Sequence, residues 1–326
     1  MGVQTIKIGV IGYRKHASRL IDIIDQRKDT QIIYIYHPAK SIDSPCATNS
    51  FQDLYKCDAV LIASPNSTHF EYIMKLLKNE EIYIFCEKPP VNNTDDLQEL
   101  SGISAENKGR LFFNYNLRFS YLNDVLSDVD YKKYIGEAIH VKVVSTHGLA
   151  FKEEYKNSWR ADRTNNLHAI TDTVAIHYID LLSLHFGEVI SFCYTPSIVA
   201  GTGTAYDTVH LSLEYRDKLT ASILVSYACP LINEFSLIGA NGLLSILENQ
   251  VKIFSPRDTF DDKGFFEIPP LKLKKSISIN DDYINSLSRS LSFFIDHVKA
   301  KRAIDTNYFD RSLSSNQFSF NVQNNA

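Results

Sequence analysis

Apolar and polar positions along the chain fall into two regimes. In the first, short apolar runs alternate with amphipathic stretches. Thr5 to Ile11, Gln31 to Tyr36, Asp58 to Ala63, Ile82 to Cys86 and Arg110 to Tyr115 read as buried strands. Between the first two, His16 to Gln26 carries Leu20, Ile21, Ile23 and Ile24 on a helical face. Strands alternating with helices predict a doubly wound parallel sheet ending near residue 117. Beyond Gly136 the pattern changes. Val141 to His147, Val189 to Val199, Thr208 to Tyr215, Leu219 to Tyr227, Glu234 to Ile238, Leu243 to Leu247 and Val251 to Phe254 read as strands. Short turns such as Arg216-Asp217 and Asn241-Gly242 separate several of them, so antiparallel pairing is expected. Helices are predicted over Ile170 to Phe186 and Asp281 to Lys301; in the second, Ile284, Leu287, Leu291, Phe294 and Val298 form one stripe. After Asp305 the chain is polar, and that tail is expected to be partly loose. The fold class is therefore α/β: an N-terminal doubly wound Rossmann domain over 1–117, then an α+β domain with a large, mostly antiparallel sheet over 118–326.

Strand ends are where this architecture places ligands. The βαβ stretch from Asp58 to Pro90 ends its first strand in Ser64-Pro65-Asn66 and its second in Glu87-Lys88-Pro89. The first strand ends in Gly12-Tyr13-Arg14-Lys15-His16-Ala17. A dinucleotide fingerprint calls for Gly-x-Gly-x-x-Gly/Ala; Gly12 and Ala17 satisfy its first and third positions and Arg14 holds the second. A β-carbon there removes the close backbone approach to pyrophosphate, while a guanidinium can supply a bidentate phosphate contact. Lys15 and His16 add charge to a helix N-terminus that already favours anions. The other reading is a βα turn that has lost its cofactor. At the end of the second strand, His37 stands where NAD-specific proteins place a carboxylate, and Lys40 is nearby. NADP is thus as well suited as NAD, unless His37-Pro38 is only a turn.

Charge and composition narrow the class. In 326 residues, 44% are apolar and 22% charged, which suits a globular protein with a sizeable core. A formal net charge of −4 gives no general drive toward nucleic acid or anionic membrane. No apolar run is long enough for a membrane span, and the first strand begins without a leader-like segment. Cys46, Cys57, Cys86, Cys193 and Cys229 show no metal spacing and fit free thiols in a reducing cytoplasm. No metal site is expected, because His168, His177 and Asp172 do not share a helical face.

Several motifs, in this order, resemble the Gfo/Idh/MocA family of nicotinamide-dependent sugar and polyol oxidoreductases. They are Pro65-Asn-x-x-His69, Glu87-Lys88-Pro89, Asn116-Leu-Arg118-Phe119, Ile135-Gly136-Glu137, Trp159-Arg160, His177-x-x-Asp180 and Ile238-Gly239-Ala-Asn-Gly242. The likeness covers roughly residues 5 to 300. It implies an NAD(P) site built from Gly12, Tyr13, Arg14, Lys15, His16, His37, Ser64, Pro65, Asn66, His69, Glu87, Lys88 and Asn116. It also implies that Lys88 lies beside nicotinamide and substrate, where a cation stabilises developing alkoxide charge. The Lys88-Pro89 bond is a candidate cis peptide.

His177 is the implied acid/base, since histidine's ordinary pKa suits proton transfer near neutrality. The family places Asp four residues before it. Here that position is Thr173, and Asp172 is displaced by about 100° on an ideal helix. Thr173 can hydrogen-bond an imidazole without offsetting its charge; Asp180 can offset it.

Arg118, Lys156, Arg160 and Arg163, with Tyr155 and Trp159, are expected at the mouth of a substrate cleft. Aromatic faces bind sugar rings and guanidinium groups bind carboxylate or phosphate, so an anionic carbohydrate is expected: a sugar acid, sugar phosphate or nucleotide sugar. These residues can equally be solvated loop charges. The leading expectation is an NAD(P)-dependent oxidoreductase working as a homodimer or homotetramer. The alternatives are a non-catalytic ligand-binding or regulatory protein on the same fold, or a non-redox enzyme with a tightly held cofactor.

Overall fold

The computed structural model describes residues 5–38 and 41–325. They divide into two units, one of residues up to Phe119 together with Ile284–Gln317, the other of Ser120–Tyr283 together with the residues from Phe318.

The first unit is built on six parallel strands: β1 (Ile6–Ile11), β2 (Thr30–Tyr36), β3 (Ala47–Thr48), β4 (Ala59–Ile62), β5 (Tyr83–Glu87) and β6 (Leu111–Asn114). Their order, β3-β2-β1-β4-β5-β6, is that of a doubly wound dinucleotide fold. Strands β4, β5 and β6 are buried at every position, which is why they read as unbroken apolar runs. The Lys15–Asp25 helix buries Ala17, Leu20, Ile23 and Ile24 against the sheet.

The apolar stripe of the Ile279–Ala300 helix joins this unit, not the second. Leu287, Leu291, Phe294, Ile295 and Val298 share a core with Ile8, Val10, Leu61 and Phe85. The expected assignment of all residues after 117 to one later domain is corrected accordingly. A stripe of that width needs an apolar face to cover it, and the parallel sheet supplies one.

The expected loose tail is also corrected. Thr306–Gln323 is a helix that buries Phe309, Leu313, Phe320 and Val322. Its polar appearance comes from small side chains on the buried face, Ser312, Ser315, Asn316 and Ser319. Ser312 donates to Tyr308 O at 2.6 Å, and Asn316 Oδ1 accepts the Val91 N–H at 3.0 Å.

The second unit carries an eight-stranded sheet: β7 (Ala138–Thr146), β8 (Val189–Ser197), β9 (Thr208–Tyr215), β10 (Thr220–Ser226), β11 (Ile232–Gly239), β12 (Leu243–Leu247), β13 (Gln250–Phe254) and β14 (Leu271–Ser276), in the order β14-β13-β12-β11-β7-β10-β9-β8. All pairings are antiparallel except β7 with β10. Burial alternates along β9, with Val209, Leu211, Leu213 and Tyr215 inward, as expected of a sheet covered on one face. Edge strand β14 was missed by the sequence reading. It is exposed throughout, and its Lys272, Lys274 and Lys275 charge an open edge.

Candidate functional site

In the first unit, the chain leaves β1 through Gly12, whose φ is +105°. A β-carbon at Gly12 would lie 2.7 Å from Ala63 O. Glycine is required there both by conformation and by the crossing of two strand ends. Arg14 follows with φ −104° and ψ 177°, an extended geometry open to any residue, so the turn itself tolerates the β-carbon. Arg14 is the N-cap of the Lys15–Asp25 helix, is exposed, and makes no side-chain cap. Tyr13 and Lys15 are exposed beside it. This arrangement fits a dinucleotide phosphate: a glycine turn, a helix N-terminus without a side-chain cap, and an exposed cation at its head.

His16 turns inward instead. Its Nε2 lies 2.8 Å from Glu87 Oε1. Asn114 Nδ2 donates to the same oxygen at 2.8 Å, and Ser290 Oγ donates to Asn114 Oδ1 at 2.7 Å. Burial raises the Glu87 carboxyl, but the charge and hydrogen bond of His16, the Asn114 hydrogen bond and the Lys88 charge outweigh it, holding the group below its ordinary value. Asn114 and Ser290 were not among the expected site residues. Asn114 ends an otherwise apolar strand, a polar residue at a ligand-side strand end, and that signal was available.

His69 links the other two motifs. Its Nδ1 is 2.8 Å from Pro89 O and its Nε2 3.1 Å from Ser64 O. Burial is the main influence and lowers its pKa, despite both carbonyls. Ser64 Oγ is 2.7 Å from Thr68 Oγ1, which donates to Pro65 O at 2.7 Å. Asn66 donates to Asn92 Oδ1 at 3.2 Å. Lys88 follows β5, half-buried, and the Lys88-Pro89 bond is cis. Asn116 is buried and donates to Ser286 Oγ at 2.8 Å. Arg118, expected near substrate, is buried in this unit, stacked 4.8 Å from the Tyr115 ring centroid and donating to Tyr308 O at 3.2 Å. His37 is half-buried after β2, with its N–H donating to Thr48 O at 3.3 Å. Lys40 lies outside the described residues.

In the second unit, His177 sits in the first turn of the Ile176–Phe186 helix, half-buried. The turn before it, Thr171–Ala175, is a π-turn in which the Ile176 N–H reaches Thr171 O. The displacement assigned to Asp172 assumed an unbroken α-helix, and the widened turn changes that register. Asp172 is buried and accepts from Asn166 Nδ2 at 2.8 Å, Ser319 Oγ at 3.1 Å and Gln323 Nε2 at 2.7 Å. Burial dominates and raises its pKa despite those three donors. Thr173 Oγ1 donates to Ala169 O at 2.5 Å and is bonded to the Tyr227 hydroxyl. Asp180 is buried in the following helix turn.

Trp159 and Arg160 are half-buried, with the guanidinium 4.7 Å from the indole centroid. Tyr155 is buried, its hydroxyl donates to Arg160 O at 3.4 Å, and burial pushes it up to about 12. Arg163 is exposed at the start of a short helix. Lys156 pairs with Glu153 at 3.0 Å on the surface, the solvated arrangement that was the competing expectation. Among the described residues no cluster of His, Cys, Asp or Glu could hold a metal ion. No described helix is long and apolar enough to cross a membrane.

Residues 6–115 match the oxidoreductase family with NAD-binding Rossmann fold, GFO_IDH_MocA, and residues 131–245 match the GFO/IDH/MocA C-terminal domain. The chain is 22% identical over 238 residues to the 2,7-anhydro-N-acetylneuraminate hydratase of Escherichia coli, covering 67% of this chain and 61% of that protein. A second curated relative is covered over 31% of its length, so the chain spans less than two thirds of either. Among solved structures, myo-inositol 2-dehydrogenase from Lactobacillus plantarum superposes with a TM-score of 0.77 at 16% identity, covering 98% of this chain and 97% of that one. GenD2 from gentamicin A biosynthesis, in complex with NAD, gives a TM-score of 0.76 at 13% identity, covering 98% and 95%.

Proposed function

The chain belongs to the Gfo/Idh/MocA oxidoreductase family, with an NAD-binding Rossmann domain, and from that premise we propose that it is an NAD(P)-dependent oxidoreductase acting on a carbohydrate-type alcohol or ketone. The observation that carries this reading is the turn from β1 through Gly12 to the Arg14-capped helix, which suits a dinucleotide phosphate. Gly12, Arg14 and Lys15 would hold the pyrophosphate, with Ser64, Pro65 and Asn66 beside it. When bound, the nicotinamide accepts or returns a hydride. In the absence of a carboxylate at His37, a 2′-phosphate meets no repulsion from that residue, so NADPH is at least as well suited as NADH.

The chain's own residues divide the remaining work. Lys88 places a cation beside the reacting oxygen and stabilises the negative charge that grows there. His69 and the Glu87 network fix the backbone on either side of Lys88. His177 exchanges the hydroxyl proton, and Thr173 and Asp172 are the polar groups of the turn that presents it. Trp159 and Arg160 offer an aromatic face and a guanidinium to an anionic carbohydrate, such as a sugar acid, sugar phosphate or nucleotide sugar. The name of the E. coli hydratase, whose substrate is an acylneuraminate, supports an acidic sugar. That name also favours a second reading, a non-redox reaction on the same fold. Five cysteines without bridges support a reducing compartment such as the cytoplasm. The exposed Leu231 and Phe266 support self-association. Titration with NADH and NADPH, followed by a turnover screen on sugar acids, sugar phosphates and neutral polyols, tests the reading. Cofactor binding without any redox turnover would favour the hydratase-like alternative.

A further inference from the structure

Thr173 does not stand alone in its turn. It is joined to Tyr227, the residue that follows β10, whose side chain is buried at 2% exposure. A threonine hydroxyl has one hydrogen, and Thr173 gives it to Ala169 O. The Tyr227 hydroxyl is therefore the donor to Thr173. The phenol ring is stacked on His147 with centroids 5.1 Å apart, and Tyr155 meets it edge-on at 5.9 Å. Its own N–H donates to Asp207 O at 2.7 Å. Ring, hydroxyl and backbone are thus each held by a different neighbour.

Arg160 adjoins this cluster. Tyr155 reaches the Arg160 carbonyl while its ring packs on Tyr227. Tyr227 thus packs on the tyrosine that holds the Arg160 backbone, while the guanidinium lies over Trp159. Burial raises the Tyr227 phenol, and the Arg160 charge is the main influence opposing that rise. Arg160 is half-buried and lies over Trp159, yet none of the described carboxylates pairs with it. A guanidinium that has lost part of its water without gaining a counter-charge is poised for an arriving anion.

We infer that Tyr227 is a positioning residue that presets Arg160, on Trp159, to receive the anionic group of the substrate, and that Thr173 anchors Tyr227 for this task. This rests on the carbohydrate reading above and names the recognition device within it. Thr173, at the position where the family resemblance implies a carboxylate, then serves substrate selection through Tyr227. A threonine suits that role because it can accept from a phenol while donating to a carbonyl, which an ionised carboxylate cannot do.

Trp159 is the chain's one tryptophan, so its emission reports on the Arg160 stack without any need for turnover. The full-length protein is titrated with D-glucuronate, inorganic phosphate and D-glucose. We expect glucuronate or phosphate to change Trp159 emission saturably, and glucose not to. Tyr227→Phe keeps the ring, removes the hydroxyl held by Thr173 and should weaken the anion about tenfold, the scale of one hydrogen bond, at an unchanged far-ultraviolet dichroism. Thr173→Val should match Tyr227→Phe, whereas Thr173→Ser should restore wild-type affinity. The inference is overturned if neither anion perturbs Trp159, if glucose binds as tightly as glucuronate, or if Tyr227→Phe binds the anion like the wild type. Failure of the oxidoreductase reading would show separately, as intact anion binding with no hydride transfer.

Discussion

His16 Nε2 lies 2.8 Å from Glu87 Oε1, so the first turn of the dinucleotide-type helix meets the strand end that presents Lys88 at ion-pair distance. The Glu87 carboxyl is held below its ordinary value of 4.5 in the folded protein. Its contribution to stability is then fully present above the unfolded value and is lost as pH falls through the folded one. Glu87→Gln should cost about 1 to 3 kcal/mol at neutral pH, as expected for disrupting a buried charged hydrogen bond. It should also flatten the loss of stability on acidification. Urea unfolding over a pH series reads both; a variant that tracks the wild type at every pH contradicts the pairing.

Asp172 should show the opposite slope. Burial raises its carboxyl above the ordinary 3.8, so the stability it confers is full below the unfolded value and is lost as pH rises through the folded one. The wild type should therefore lose stability relative to Asp172→Asn as pH rises through that window, in the same unfolding experiment. A difference that grows with pH instead would mean that the donors from Asn166, Ser319 and Gln323 outweigh burial.

The two positions of the fingerprint should respond differently to alanine. Gly12→Ala forces a left-handed φ onto a β-carbon and drives it against Ala63 O, so it should destabilise the protein by about 1 to 3 kcal/mol or more. Arg14 occupies an ordinary conformation, so Arg14→Ala should leave the melting temperature alone and weaken NADPH by about 1 to 3 kcal/mol. Thermal melts and fluorescence titration separate the two effects. Unchanged NADPH affinity in Arg14→Ala would remove Arg14 from the phosphate site.

Much of the fold was legible because β4, β5 and β6 of the first unit are buried on both faces and read as apolar runs, while β9 of the second alternates. The polar C-terminal helix was not legible. Its inward face uses Ser312, Ser315 and Asn316, of which the Ser312 hydroxyl and the Asn316 amide bond to backbone, and no hydropathy pattern marks such a face. The destination of the Leu287 to Val298 stripe was hidden for another reason: periodicity names the face of a helix but not what covers it, and Ile284, read into the same stripe, is exposed. Within the candidate site, Glu87, Lys88 and His177 were marked by motif. The contacts His16–Glu87 and Thr173–Tyr227 join distant segments, so neither could be read from local sequence.

Lys88→Ala and His177→Ala should each lower kcat by about 10²-fold or more on the true substrate, the usual worth of a positioned acid or base. KM should change less than kcat, since both groups act on charge that develops during reaction. Full turnover in both variants would contradict their assignment.

Sedimentation at micromolar concentration should give a dimer or tetramer, in which a partner copy would cover the exposed side chains of Leu231, Phe265, Phe266 and Ile268. A monomer would contradict this.

The most direct test is titration of the purified chain with NADPH and NADH, read by nicotinamide fluorescence. The account predicts saturable binding of at least one of them, weakened in Arg14→Ala and abolished in Gly12→Ala. No saturable binding of either up to millimolar concentration would contradict it.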